Sequence, residues 1–254
     1  MPEFKDLLFS VNDQVATIAI NRPHVLNALT GDTIKELEQA IVEAGRRRDV
    51  GVVVLTGVGD RAFCAGGDVN WEAAGGLKDL DFRINRMLAE CPKPTIARVN
   101  GYAIAAGNHM AYFCDFTIAS ENAIFGQNGP RVGSPAAGHI VAHLAHIIGH
   151  KRAREMWMLA RKHSAQQMLD WGLVNAVVPA DRLDEEVRRW CDDLLALSPT
   201  CLKILKASFR RIMDWTELDD VVNEVAPDYF ETGEQLEGAK AFLEKRRPDF
   251  SRWR

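Results

Sequence analysis

Strand-like and helix-like segments alternate along most of this chain, and that alternation limits its possible folds more than any other feature. Residues 7–20 read as two short strands with a turn at Asn12–Asp13. Residues 30–47 have helical spacing behind Thr30 as an N-cap, and a buried strand is predicted at 51–56. Apolar residues share one face of that helix: Ile34, Leu37, Ile41 and Ala44. The cycle recurs with strand-like segments at 94–107 and 116–127, a short helix between them and a helical stretch at 138–160. This predicts an α/β fold with mostly parallel strands.

From about residue 181 onward the pattern is helical only. We therefore predict two parts, a core over 1–198 and a helical C-terminal module over 199–254. The module has more apolar residues than a small appendage can bury, among them Leu202, Leu205, Phe209, Ile212 and Trp215. Such a surface is typical of a subunit interface. We expect a homotrimer or a dimer of trimers.

Composition excludes several classes of function. The chain has 254 residues, 47% of them hydrophobic, and 31 basic and 35 acidic residues give a net charge of −4. The charges are well mixed, so neither nucleic acid nor a membrane surface is an expected partner. The five cysteines are scattered without a Cys-x-x-Cys pair, which argues against disulfides and zinc. No leader or spanning segment is recognisable, and we expect a cytoplasmic protein.

A possible nucleotide fingerprint follows the predicted strand at 51–56. The sequence TGVGDRA places Gly57, Gly59 and Ala62 at Gly-x-Gly-x-x-Ala spacing. That motif needs a helix to begin there and hold a pyrophosphate, but the following Phe-Cys-Ala-Gly-Gly is a poor helix. A glycine-rich turn is the better interpretation, and we do not expect NAD to bind.

The next segment, RAFCAGGDVN at 61–70, raises a sharper question. Its paired glycines leave backbone N–H groups exposed and unhindered just after a strand. Such groups are suited to holding an anion. The remaining motifs indicate which anion.

Five separated segments occur in the order typical of one family: NRPHVLNALT, RAFCAGGDVN, PKPTIARVNGYAIAAG, CDFTIASENAIFGQ and EKRRPDF. Together they resemble the crotonase superfamily, also called the enoyl-CoA hydratase/isomerase family. Further segments, including FGQNGPRVGS and WGLVNAVVP, look most like the dihydroxynaphthoyl-CoA synthases and the alicyclic ring-opening acyl-CoA hydrolases. The resemblance implies a ClpP-like spiral of ββα units with a helical trimerisation module. It also implies an acyl-CoA substrate and no tightly bound cofactor.

By this resemblance the backbone N–H groups of Gly67 and Ala106 form an oxyanion hole for a thioester carbonyl. Two such donors can each contribute about 3 to 4 kcal/mol to an enolate-like transition state. Ala106 lies at the start of a helix near Gly107, where the helix dipole adds positive potential. Family members commonly carry three glycines where this chain has Ala105, Ala106 and Gly107.

The resemblance also implies residues that bind coenzyme A. They are His24, Val25 and Leu26, then Ala65, Gly67, Asp68 and Val69 to Asn70, and finally Phe242 and Lys245. His24 replaces a frequent lysine. Without the resemblance, Phe242 would be interpreted as helix packing and Lys245 as a solvated charge. In the family these last two often reach the CoA of a neighbouring subunit.

The departures from the family pattern are informative. Hydratases of the family use two glutamates to activate water, and the matching positions here are His109 and Gly129. Simple hydration is therefore disfavoured. In the naphthoyl-CoA synthases a glycine at the position of Gly129 accompanies a bound bicarbonate, with the residue matching Gln127 nearby. Their aspartate falls at Ala136, and their C-terminal tyrosine falls at Phe230, beside Tyr229.

Three polar residues remain as candidates for the rebuilt acid–base chemistry. His109 lies one helical turn after Ala106, where it moves protons or simply bonds a nearby carbonyl. His139 forms a stripe with His143 and His146 that resembles a metal ligand set, but a helix face explains it better and no metal is expected. Ser134 either bonds a substrate carbonyl or caps a helix.

The favoured reaction is carbon–carbon bond cleavage or formation, or a proton shift, on a cyclic or related acyl-CoA through an oxyanion-held enolate. An enoyl-CoA hydratase or isomerase is the alternative. A catalytically silent CoA-binding subunit is a third hypothesis, because both hydratase glutamates are missing.

Overall fold

The computed structural model describes residues 3–78, 80–136, 138–211, 228 and 231–249, and two sheets dominate these residues. A six-stranded sheet has the order β1-β2-β3-β5-β7-β10, and a four-stranded sheet has the order β4-β6-β8-β9. The strands are β1 (Leu7–Asn12), β2 (Val15–Ile20), β3 (Val52–Gly57), β4 (Ala62–Cys64), β5 (Thr95–Val99), β6 (Tyr102–Ile104), β7 (Phe116–Ser120), β8 (Ile124–Gly126), β9 (Lys162–Ser164) and β10 (Ala176–Val178).

Helices cover the sheets and complete the repeating units. They are α1 (Gly31–Arg46), α2 (Val69–Ala73), α3 (Ile84–Glu90), α4 (Ala106–Phe113), α5 (Gly129–Val132), α6 (Gly138–Ile148), α7 (His150–Met158), α8 (Ala165–Asp170), α9 (Leu183–Leu195), α10 (Pro199–Arg211) and α11 (Glu234–Leu243). A 3₁₀ turn, Pro23–Val25, precedes α1, and a second, Ala180–Arg182, precedes α9.

The chain advances in ββα turns, each giving one strand to each sheet. β3 and β4 precede α2 and α3, β5 and β6 precede α4, and β7 and β8 precede α5. Strands from successive turns pair in parallel, as β3 does with β5 and β4 with β6. This is the spiral that the resemblance implies, and the predicted α/β class is confirmed.

The first hairpin and α1 form as their sequences predict, with one small shift. β1 and β2 pair antiparallel, and the turn residues are Asp13 and Gln14, both with positive φ, one position later than predicted. Thr30 caps α1 by accepting a hydrogen bond from the Thr33 N–H. The predicted apolar face of α1 is buried against the sheet.

Two features differ from the sequence-based predictions. The helical stretch after residue 138 is broken at Gly149, whose φ of +80° separates α6 from α7. β9 and β10 were not predicted, because three residues are too few to show an alternating pattern. β9 pairs antiparallel with β8, which ends at Gly126 just before the candidate residue Gln127.

The C-terminal elements contact the core from two sides. α10 lies against α3, and α11 packs on α2 and α5 near the glycine-rich segment. Ile212 and Trp215 lie outside the described residues. Within the described ranges, no helix combines the length and apolar character needed to span a bilayer.

Candidate active site

The glycine-rich segment after β4 meets the start of α4 at close range. A Cβ atom added to Gly107 would lie 2.1 Å from the Cys64 carbonyl oxygen, so only glycine allows the two backbones to approach this closely. Gly66 has a φ of +102°, and a Cβ there would lie 3.8 Å from the Ala106 nitrogen. The turn at Gly66–Gly67 therefore lies beside the first residue of α4.

Two backbone donors at this junction are left unused by the fold. The neighbours of Gly67 are paired, because Leu29 N–H donates to Gly66 O and Asp68 N–H to Leu29 O, both over 2.8 Å. In the described part of the chain neither the Gly67 nor the Ala106 N–H donates to a backbone carbonyl. Both residues line a cavity of about 490 Å³. The α4 N-terminus adds positive potential there, so the junction is suited to hold a developing oxyanion.

Ala105 sets the direction of the second donor. It has φ of 50° and ψ of −117°, in the half of conformational space that favours glycine. Its N–H donates to Gly126 O over 3.0 Å, and its carbonyl accepts from His109 N–H over 2.9 Å. The alanine thus adopts a glycine-like conformation, held by hydrogen bonds on both sides.

His109 is a buried, neutral side chain in the cavity wall. Its Nε2–H donates to Gln127 Oε1 over 3.0 Å, and its ring stacks at a tilt with Trp157 at a centroid distance of 5.4 Å. Loss of hydration on burial lowers the pKa of the His109 imidazole to about 3, despite the bond to Gln127. At neutral pH the ring is a hydrogen-bonding group and a weak base.

Glu72 is a carboxylate in the same cavity that the sequence reasoning missed. It lies on α2, is 6% exposed, and its Oε1 would be 1.9 Å from a Cβ added to Gly67. Burial, and secondarily the charge of Asp68, raise the pKa of Glu72 to about 7. The sequence did contain a signal for Glu72. It lies four residues after the Asp68 cap, a spacing that places its side chain on the same face of α2 as the glycine turn.

The residues around Gly129 do not fit a bound bicarbonate. A Cβ added to Gly129 would lie 2.4 Å from the Ser134 carbonyl oxygen, so backbone fills the place that a glutamate side chain or its substitute would take. That oxygen is a hydrogen-bond acceptor and would repel an anion. Two donors of the cavity wall, the Gln127 Nε2 and the Trp157 Nε1, are buried without a hydrogen bond, and neither carries a positive charge to balance an anion.

Other predicted residues are also found at the cavity. Ser134, Ala136 and His139 line it. Ser134 does not directly precede α6, which begins at Gly138. The stripe on α6 is not a ligand set: His143 Nε2 bonds Tyr112 O over 3.1 Å, and no three candidate ligands cluster in the ranges that the structure describes. Tyr229 and Phe230 lie outside the described residues.

A second, basic cavity of about 690 Å³ lies beside the first and shares Trp71 and Leu80 with it. His24 lines this cavity. Its other basic wall residues are Lys5, Arg22, Lys35 and Lys78. Positive side chains of this kind are suited to the phosphates of CoA.

The remaining CoA-binding candidates fall around the two cavities. Ala65 N–H donates to Leu26 O over 3.0 Å, which joins the Val25–Leu26 turn to the glycine segment. Asp68 caps α2, which starts at Val69, and pairs with Arg22 at 3.2 Å. The last three candidates lie in different surroundings. Asn70 is exposed on α2, and Phe242 of α11 lines the first cavity. Lys245 is exposed and borders neither cavity.

The dinucleotide interpretation of TGVGDRA is excluded by the structure. Gly59 has a φ of +89° in a turn, and the strand β4 begins at Ala62. No helix N-terminus is therefore available at this position for a pyrophosphate.

Comparisons with known proteins agree with this fold. A model of the enoyl-CoA hydratase/isomerase family matches residues 10–252. An enoyl-CoA hydratase from Mycobacterium avium subsp. paratuberculosis K-10 is 31% identical with a TM-score of 0.86, covering 98% of this chain and 100% of that one. A carnitinyl-CoA hydratase from Mycobacterium avium is 28% identical with a TM-score of 0.84, covering 97% and 98%. A methylmalonyl-CoA decarboxylase, 24% identical with a TM-score of 0.88 over 98% and 99% of the chains, shares the fold.

Proposed function

Because this chain belongs to the enoyl-CoA hydratase/isomerase family, we propose that it is an acyl-CoA enzyme that forms a thioester enolate and then moves a proton or makes or breaks a carbon–carbon bond. The observation that carries the proposal is the pair of unused N–H donors at Gly67 and Ala106, which open on a cavity. Donors that are fixed before the reaction stabilise negative charge on an oxygen without reorganisation. A thioester carbonyl becomes such an oxygen when its α-carbon loses a proton or a carbon substituent.

Three features support this reaction over hydration by paired glutamates. By the resemblance, His109 and Gly129 fall at the two glutamate positions. The His109 imidazole is neutral, and the backbone around Gly129 leaves no room for a side chain. The acyl cavity is lined mainly by apolar side chains, including Ile34, Val132 and Ile140. Apolar walls favour a hydrocarbon acyl group and exclude water from the enolate.

Enoyl-CoA hydration or isomerisation is the second candidate. It is favoured by the 31% identity to an enoyl-CoA hydratase over nearly the full chain. Glu72 would then supply one of the two carboxylates that hydration uses. The other would be lacking, because His109 and Gly129 stand where the resemblance puts the two glutamates. Turnover of any acyl-CoA would exclude the third hypothesis, a silent CoA-binding subunit.

Acetoacetyl-CoA tests the enolate directly, because it ionises without help from a strong base and its enolate absorbs in the near ultraviolet. We expect the protein to bind it with an increase in enolate absorbance. Butyryl-CoA should also bind more tightly than S-butyl-CoA, a thioether without the carbonyl oxygen. Equal affinities together with an unchanged acetoacetyl-CoA spectrum would overturn the proposal.

A screen with cyclic β-keto, aromatic and straight-chain enoyl-CoAs, with products detected by mass, then identifies the reaction. We expect crotonyl-CoA hydration to be slower by ~10² or more than in a two-glutamate hydratase, since each general acid or base contributes ~10² to 10⁴. Hydration at the rate of an ordinary hydratase would instead select the second candidate.

A further inference from the structure

The α2 helix places the carboxylate of Glu72 directly against the proposed oxyanion site. Asp68 accepts hydrogen bonds from the N–H groups of Asn70 and Trp71, and this fixes where α2 begins. Glu72 N–H then donates to Asp68 O over 2.8 Å, which completes the first turn. Because Oε1 lies 1.9 Å from the ideal Cβ position of Gly67, the carboxylate is in contact with the Gly67 Cα. Position 67 must therefore be glycine, because any Cβ atom there would overlap the Glu72 carboxylate.

Glu72 has no structural partner that would explain its burial. Its carboxylate forms no hydrogen bond or ion pair with any residue that the structure describes. By contrast, the Asp115 carboxylate is paired with Lys206 at 2.6 Å, and Glu237 is paired with Arg246 at 2.7 Å. An isolated carboxyl group in an apolar wall is destabilising when charged. A side chain kept there for packing alone would be expected to be apolar.

Other ionisable groups at the cavity are less suited to move a proton. His109 is a weak base whose Nε2–H is engaged by Gln127. Asp68 is held by Arg22 and by two backbone N–H groups. Asp81 lies at the cavity mouth with its side chain 75% exposed and paired with Arg83. Glu72 combines contact with the oxyanion donor, burial and an uncommitted carboxylate.

We propose that Glu72 is the catalytic residue that removes a proton from the carbon next to the thioester carbonyl and returns one to the enolate. In the forward step the C–H bond breaks, the proton passes to a Glu72 oxygen, and the electron pair forms a C=C bond. The carbonyl oxygen takes the negative charge and is held by the Gly67 and Ala106 N–H groups. The neutral carboxylic acid then returns the proton to carbon, so no other reactant is needed. This inference rests on the enolate function proposed above.

The surroundings of Glu72 suit both halves of this cycle. A pKa of about 7 leaves the group divided between carboxylate and acid at neutral pH. The other charged or titratable groups that line the cavity are His109 on α4, His139 on α6, and Asp81, Arg83 and Arg86 before and on α3. Asp68, the cap of α2, lies next to Gly67 but does not line the cavity. The elements α1, α5 and α7 contribute uncharged lining residues. α11, which packs on α2, carries Glu234, Glu237 and Lys240. Among these charges, that of Asp68 raises the pKa of Glu72.

Proton exchange at butyryl-CoA tests the assignment, because butyryl-CoA is a poor carbon acid that needs a base. In D₂O the wild-type protein should introduce deuterium at the α-carbon, detected by mass. We expect Glu72→Gln to reduce the exchange rate at saturation by ~10² or more. Its affinity for butyryl-CoA should change less than about twofold, because the group acts in the transition state. The matched control is Glu121→Gln, an exposed glutamate after β7, which should exchange at the wild-type rate.

The pH profile and a shorter carboxylate separate catalysis from a structural role. The wild-type exchange rate should rise through about pH 7 and then level, following the pKa of Glu72, and Glu72→Gln should lose this inflection. Glu72→Asp keeps a carboxylate but, being one methylene shorter, holds it farther from Gly67 and the cavity. This variant should retain more exchange than Glu72→Gln. A further test needs only the wild-type protein, so it does not depend on whether a variant folds. Infrared titration with isotope-labelled glutamate carboxyls should show one glutamate that is still protonated near neutral pH.

The two proposals fail in different ways. Binding of the acetoacetyl-CoA enolate with no butyryl-CoA exchange, or with exchange that Glu72→Gln leaves intact, overturns the role of Glu72 while the enolate function stands. Equal affinities for butyryl-CoA and S-butyl-CoA, together with an unchanged acetoacetyl-CoA spectrum, overturn the proposed function itself. The infrared result also overturns the assignment if no glutamate titrates between about pH 6 and 8.

Discussion

Ala105 combines an unfavourable backbone conformation with a position beside the proposed oxyanion site. A non-glycine residue with φ of 50° and ψ of −117° stores strain of about 1 to 3 kcal/mol. The hydrogen bonds to Gly126 and His109 hold that conformation and so fix the direction of the Ala106 N–H. The sequence contains the alanine, but only the structure shows that the alanine keeps the conformation that glycine would favour.

Replacement of Ala105 by glycine should therefore stabilise the protein. The strain relieved exceeds the ~0.5 to 1 kcal/mol of backbone entropy that glycine loses on folding, so we expect a net gain of about 1 kcal/mol in the free energy of unfolding. Urea denaturation measures it. Ala106→Gly is the matched control: Ala106 has ordinary helical geometry, so that variant should be neutral or less stable. Equal effects of the two substitutions would contradict the assignment of strain to Ala105.

Glu72→Gln should also change the pH dependence of stability. The folded-state pKa of about 7 lies above the ordinary value of 4.5, so the folded protein binds a proton more tightly than the unfolded chain. The wild-type protein consequently loses stability from this group as pH rises from 4.5 to about 7. Glutamine removes that loss, so the variant should be more stable by about 3 kcal/mol above neutrality.

This gain should disappear near pH 4.5, where the carboxyl is protonated in both states. The comparison is made as a difference between variant and wild type at each pH, because two buried histidines also make stability depend on pH. Burial lowers the pKa of His109 to about 3 and that of His143 to about 4, below the ordinary value of 6.5. A difference that does not depend on pH would show that the Glu72 carboxyl is not buried as described.

At the scale of elements, a buried cation on α10 joins this helix to the core. Lys206 is 9% exposed, and its Nζ lies 2.6 Å from Asp115 Oδ2, 3.0 Å from Lys93 O and 3.2 Å from Thr95 Oγ1. Asp115 also accepts from the Thr95 N–H over 2.7 Å. This network joins the helix to the start of β5 and to the loop before β7. Its long sequence separation explains why the sequence alone did not indicate it.

Lys206→Met should cost about 3 kcal/mol of stability, because it leaves the Asp115 carboxylate without its cation. The apolar stem is kept, so the loss reports on the charge. The double variant Lys206→Met with Asp115→Asn should recover part of the loss, as expected when two groups are coupled. Equilibrium unfolding measures all three, and purely additive losses would contradict the coupling.

Elements with long periodic sequences were predictable, and short ones were not. α1 follows from its spacing and its Thr30 cap, because sixteen residues give several repeats of the apolar face. β9 has three residues and depends on pairing with β8, so its sequence contains no local signal. The candidate site could also be predicted only in part. Gly67 and Ala106 were predicted through a resemblance between motifs. Glu72 was not predicted, because its place in the cavity depends on where α2 begins.

At the scale of the whole molecule, the outer face of α10 is strongly apolar. Ile204, Leu205 and Phe209 are 60%, 54% and 68% exposed in the single chain. Exposed side chains of this size in one place mark an interaction surface. The trimer or dimer of trimers, and the division of the chain at residue 198, remain predictions.

Substitution on this face should change the oligomeric state. We expect light scattering at micromolar concentration to give a trimer or hexamer for the wild-type chain. Leu205→Glu with Phe209→Glu should shift it toward monomer, since two buried charges would oppose association. Leu8→Glu, at an exposed apolar residue on β1, is the control and should leave the mass unchanged. A wild-type monomer would refute the predicted assembly.

Phe242 of α11 forms part of the wall of the first cavity, although it is far along the sequence from Gly67 and Ala106. The cavity therefore has its full wall only while α11 is packed on α2 and α5. A protease that cut the chain between α10 and α11 and released α11 would leave both N–H donors and Glu72 in an incompletely walled pocket. An acyl-CoA held in the intact cavity should in turn slow the loss of α11 during limited proteolysis.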